Sequence, residues 1–212
     1  MNSPFEGLTK SQVNKLFELL GVHIYKYDKN QELIPTIRNE NIIGIIISGC
    51  AQIINIEYNG NEILIEELLP NSIFGTNILG TNNENYQIIA KQDTQVVIID
   101  YNKLINPKNS KHSYFNIFIR NIFDIINTKF KEKNERIRIL EKKQIRDKLL
   151  EFFEIEHKKG RLKYIYLPFS FRALADYLGV NRSAMFRELR HLKDEKLIEI
   201  TDRKITLLYK QQ

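Results

Sequence analysis

The stretch Phe169–Ile198, FSFRALADYLGVNRSAMFRELRHLKDEKLI, decides how the rest of the chain is read. Its spacing predicts two short helices with a tight turn between them. The first starts at Ser170, whose hydroxyl can accept from a free N–H of the first turn. It carries Leu174, Ala175 and Leu178 on one face. It stops at Gly179, a residue suited to leaving a helix through a left-handed conformation. Asn181 then caps a second helix that runs to Lys193. Small residues at Ala175 and Gly179 permit the close crossing of a helix-turn-helix.

On the second helix, Arg182, Phe186, Arg190, Ser183 and Arg187 share an arc of about 140° at 3.6 residues per turn. Met185, Leu189 and Leu192 fall on the opposite side. One side can therefore pack on the first helix while the other meets a polar partner. An α-helix fits the DNA major groove, and an arginine fork matches the O6/N7 edge of guanine. Asn181, Arg182, Ser183, Phe186, Arg187 and Arg190 are the candidate DNA-binding residues. Phe186 has two readings, one against a thymine methyl and one folded onto its own domain. Beyond the helix, Leu197–Ile200, a turn at Thr201–Arg203 and Lys204–Leu208 predict a β-hairpin, the wing of a winged helix.

The charge is split along the chain. Residues 1–110 hold 8 Lys+Arg against 12 Asp+Glu, a net of −4, and residues 111–212 hold 24 against 14, a net of +10. A polyanion partner thus belongs to the C-terminal half. No window approaches the ~18–20 apolar residues of a membrane span, and the first residues show no basic-then-apolar leader. The single Cys50 excludes an internal disulfide framework and fits a reducing cytoplasm.

Upstream, the hydrophobic period changes twice. Residues 9–20 have helical spacing with Thr9 or Ser11 as cap. Residues 22–100 contain short apolar runs separated by turns, including Asn59-Gly60, which predicts a β-sandwich or barrel. Asp100 can cap a short helix through Leu104. Residues 110–140 read as one long helix with more apolar positions than a single stripe needs. One side can lie on the barrel and another can meet a second copy, with Phe118, Ile122 and Ile125 as the expected seam. A hinge at Ile139–Glu141 and a helix from Glu141 to His157 complete the chain. The expected domains are therefore 1–109, 110–140 and 141–212.

This order resembles the Crp–Fnr family of cyclic-AMP-receptor-like bacterial transcription regulators. The resemblance rests on Ile46-Ile47-Ser48-Gly49-Cys50-Ala51, the Gly60 turn, Pro70-Asn71-Ser72-Ile73-Phe74-Gly75 and the terminal LADYLGVNRSAMFREL. It implies an α+β protein: an N-terminal double-stranded β-helix (jelly-roll) sensor barrel, a long dimerisation helix and a C-terminal winged helix-turn-helix. It also implies a homodimer that places two recognition helices on a two-fold symmetric operator in double-stranded DNA, with RNA polymerase as a further partner. Arg182, Ser183 and Arg187 match the family's base-reading positions. The middle position is often glutamate, so Ser183 departs from the usual half-site.

The resemblance does not extend to the best-known effectors. Cyclic-nucleotide binders of this fold carry a glutamate soon after the Phe-Gly turn and an Arg–Ser/Thr pair for the phosphate. Here Phe74-Gly75 precedes Thr76-Asn77-Ile78, and the second region reads Asn82-Asn83-Glu84-Asn85-Tyr86. Cyclic AMP is not expected. One cysteine cannot hold an iron–sulfur cluster. Haem on one of His23, His112, His157 or His191, a small organic ligand, or no ligand are the readings left open. An enzyme is not expected, because only His23 lies in the barrel region where a cupin-type metal site needs several histidines. A ligand-binding subunit acting on a protein partner is the alternative of another class, and it leaves the arginine face unexplained.

Overall fold

The computed structural model describes residues 3–33, 41–58, 60–75, 86–160 and 162–210. It separates into two compact units, Met1–Thr128 and Lys129–Gln212.

The first unit is built around two strands buried on both faces, Ile42–Ser48 and Thr94–Asp100. It contains α1 (Lys10–Leu20), β1 (His23–Tyr27), β2 (Ile42–Ser48), β3 (Ala51–Ile56), β4 (Glu62–Leu68), β5 (Ile73–Gly75), β6 (Tyr86–Ala90), β7 (Thr94–Asp100) and α2 (Tyr101–Leu104). A 3₁₀ turn (Pro107–Lys111) leads into the long α3 (Ser113–Leu140). Two antiparallel sheets, ordered β1-β7-β2-β5 and β4-β3-β6, form the jelly-roll.

Alternation explains why β2 and β7 read as nearly continuous apolar runs. Successive side chains leave a strand on opposite faces. Ile42, Ile46, Val96 and Ile98 enter the core shared with Ala51, Ile53, Leu68 and Ala90 of the second sheet. Ile43, Ile45, Val97 and Ile99 instead pack under Leu16 and Leu20 of α1 and Phe115 and Phe118 of α3. Gly44 pairs across the ladder with Phe74. A Cβ at Gly44 would lie 2.2 Å from the Phe74 ring, so the missing side chain makes room for that ring. Thr9 and Gln12 form a reciprocal capping box on α1, and Asp100 caps α2.

The second unit holds the last turns of α3, then α4 (Ile145–Lys159), β8 (Tyr164–Tyr166), α5 (Phe171–Leu178), α6 (Arg182–Asp194), β9 (Ile198–Thr201) and β10 (Lys204–Leu207). The strands form a small sheet ordered β8-β10-β9. Its core joins Leu149, Phe152 and Phe153 of α4 to Leu174, Leu178, Met185, Leu189 and Leu192. Ile139 is fully buried in the same core. Arg138 and Lys142 pair with Glu151, and Lys159 pairs with Glu135 at 3.0 Å. These contacts make the end of α3 part of the second unit. The two compact units therefore meet at Thr128/Lys129, inside α3.

The expected dimer seam needs correction. Phe118, Ile122 and Ile125 are 0%, 4% and 5% exposed. They pack with Ile43, Ile45 and Val97 inside their own unit, so none is available to a second chain. The outward stripe of α3 carries Phe123, Phe130 and Ile137 at 61%, 64% and 51% exposure.

Candidate nucleic-acid interface

The helix-turn-helix is fixed by its caps. Ser170 Oγ accepts from Ala173 N at 3.3 Å and opens α5. Gly179 closes it with φ +61°, a conformation that favours glycine. Two residues on, Asn181 Oδ1 accepts from Ser183 N at 2.9 Å and Ala184 N at 3.2 Å and opens α6. Lys148 Nζ donates to the Leu178 carbonyl at 3.1 Å, which satisfies a group at the end of α5.

These caps set the rotation of α6. Met185, Leu189 and Leu192 are buried. Asn181, Arg182, Ser183, Phe186, Arg187 and Arg190 are all exposed. Arg182, Ser183, Phe186, Arg187 and Arg190 thus share one exposed face, while Asn181 is held at the start of the helix as its cap. Arg146 of α4 braces the far end, donating from Nη1 to Glu195 at 2.7 Å and lying 3.5 Å from Glu188. The guanidinium holds the Glu195 carboxyl below its usual range. Glu188 and Glu195 are thereby turned toward α4, while exposed Asp194 stands at the C-terminal end of α6, past the three arginines.

Phe186 is folded in part onto its own domain. Its ring lies 5.6 Å from that of Phe171 on α5, and the Arg182 guanidinium sits 5.7 Å above it. Even so, it keeps 39% of its surface.

Further cations lie on α5 and in the wing, and the sequence reading did not single them out. Arg172 is exposed in the first turn of α5. In the wing, Asp202 adopts φ +54° at the β9–β10 turn. Arg203 then donates to the Leu167 carbonyl at 2.6 Å and stacks on Tyr166, while Lys204 lies 3.9 Å from the Tyr164 ring. Two adjacent cations directly after a hairpin turn were the available signal.

The four histidines are distributed over both units. His23 is exposed on β1 and stacks edgewise near Tyr25. His112 stacks on Tyr114 before α3. His157 and His191 belong to α4 and α6. Among the described residues, no three His, Cys, Asp or Glu side chains gather as a metal site. Cys50 Sγ sits 3.7 Å from Glu67 Oε1, and burial together with that carboxylate pushes the thiol pKa up, against thiolate chemistry. Thr76–Ile78 and Asn82–Asn85, on which the cyclic-nucleotide reading turns, lie outside the described residues, as does Asn59. No helix among the described residues is long and apolar enough to cross a membrane.

Comparison with known proteins covers both units. Residues 26–106 match the family model for the cyclic nucleotide-binding domain, and residues 143–212 match that for the Crp-like helix-turn-helix domain. A protein of Porphyra purpurea, ycf28, described as an HTH-type transcriptional regulator, is 24% identical over 92% of this chain and 78% of its own length. Among solved structures, CprK complexed with OCPA aligns with TM-score 0.60 at 18% identity, covering 93% of this chain and 91% of that one. A CooA mutant from Carboxydothermus hydrogenoformans gives 0.56 at 20%, covering 97% and 89%. Catabolite Activator Protein from Thermus thermophilus gives 0.52 at 15%, covering 97% and 93%. With a cyclic-nucleotide-binding-type domain followed by a Crp-like helix-turn-helix over most of its length, the chain belongs to the Crp–Fnr family of transcription regulators.

Proposed function

We propose that the protein is a homodimeric, sequence-specific DNA-binding regulator controlled by an effector in its N-terminal domain. The observation that carries this reading is the exposed face of α6. Arg182, Arg187 and Arg190 surround Ser183 and Phe186 there, and the opposite face is locked into the core. Arg182, Ser183 and Arg187 are the proposed base readers. Arg172, Arg203 and Lys204 are the proposed phosphate contacts, which position without specifying. A single cysteine and the +6 net charge fit work on nucleic acid in a reducing compartment such as the cytoplasm.

The proposed seam is the stripe of α3 that carries exposed Phe123, Phe130, Ile137 and Leu140, with half-buried Ile119 and Ile126 completing it. Its spacing follows two alternating positions of a heptad, interrupted only by Lys133. Large aromatic groups left in water along one helix are what a second copy would cover.

The proposed effector is a small molecule other than cyclic AMP, since residues 76–78 and 82–85 lack the expected glutamate and arginine. The test of the whole reading is selection of duplexes from a random pool by the full-length chain. Recovery of a two-fold symmetric consensus is expected. Recovery of unrelated sequences alone would refute it.

A further inference from the structure

Phe186 is a large apolar ring in the middle of a cationic arc. On α6 it lies between Arg182 and the pair Arg187 and Arg190. Its back is held by Phe171, whose ring is 5.6 Å away and tilted by 48°. Its flank is covered by the Arg182 guanidinium at 5.7 Å. These contacts fix the ring across the α5–α6 crossing and restrict its rotamers. They also leave it 39% exposed, on the side where the arginines stand.

A ring held in this way cannot withdraw when α6 enters a groove. It must meet something there, and a hydrogen-bonding base edge facing it would lose its water without gaining a partner. The C5-methyl of thymine is the one apolar group that base pairs present in the major groove. We infer that Phe186, backed by Phe171, selects a thymine in each half-site by packing on its C5-methyl. The contact sits beside the base read by Arg182. This rests on the proposed DNA-binding function and adds a specificity that the arginines cannot supply, since guanidinium forks favour guanine. 5-Methylcytosine carries its methyl at the same ring position and would be accepted in that place.

The experiment is a methyl scan on the duplex that the full-length protein selects from a random pool. Each thymine is replaced in turn by deoxyuridine, which removes one methyl and leaves every hydrogen-bonding group. One position per half-site is expected to weaken binding about fourfold, the worth of one buried methyl. Phe186→Ala should abolish the sensitivity at that position alone. Phe186→Leu, which keeps an apolar contact, should retain most of it. Phe171→Ala should reduce it by freeing the ring. Arg187→Ala should weaken binding yet leave the methyl effect intact.

Insensitivity of the wild type at every thymine overturns the inference while leaving DNA binding standing. So does a methyl effect that persists in full in Phe186→Ala, because another side chain would then be its source. Failure to select any duplex removes the DNA-binding reading itself, and the inference with it.

Discussion

Arg187 stands on the exposed arc of α6, one residue past the stacked Phe186 and without a neighbour that buries it. Its replacement by alanine is expected to cost about 1–3 kcal/mol of binding and to relax selectivity at one base pair, measured by titration against single-substituted operators. Equal weakening on all sequences would make it a phosphate contact. Gly44 provides the corresponding test in the sensor core. Alanine there must displace the Phe74 ring, so denaturant unfolding of Gly44→Ala should show a loss of about 1–3 kcal/mol. The caps Ser170, Gly179 and Asn181 were legible in the sequence because cap chemistry is local. The Gly44–Phe74 contact was not, since it joins two strands 30 positions apart and appears only once the register is known.

Among the elements, α3 shows most clearly where reading by periodicity stops. It carries two stripes of heptad-like spacing, displaced by one residue. Phe115, Phe118, Ile122 and Ile125 form one, and Ile119, Phe123, Ile126 and Phe130 form the other. A one-residue step turns a helix by about 100°, so spacing alone cannot say which stripe faces the chain's own sheet. Packing decides it, and the first stripe is consumed by β2 and β7. Two substitutions should therefore behave differently. Ile122→Glu should lower the melting temperature of the N-terminal unit, because it forces a carboxylate into the packed core. Phe130→Glu should leave folding intact and shift sedimentation from dimer to monomer. A Phe130→Glu protein that stays dimeric would place the seam elsewhere.

At the scale of the molecule, the charge split and the order of domains were legible from composition and motif, and both units match their family models. The effector was not. Its recognition depends on side chains converging from separate strands, and the segments singled out for cyclic nucleotides lack the usual chemistry. With a +10 C-terminal half, binding should fall steeply with salt, in proportion to the phosphates neutralised. Arg172→Ala with Lys204→Ala, at two proposed phosphate contacts, should flatten that dependence.

The most direct measurement is the specificity ratio of the full-length chain, its affinity for the selected duplex over a scrambled duplex at one fixed salt concentration. For the wild type a ratio of about 10³ or more is expected. Combining Arg182→Ala, Ser183→Ala and Arg187→Ala should bring it close to one, with Asn181 and its cap untouched and α6 still folded by circular dichroism. A ratio that survives the triple substitution would contradict the account, because sequence would then be read by a surface other than the exposed face of α6.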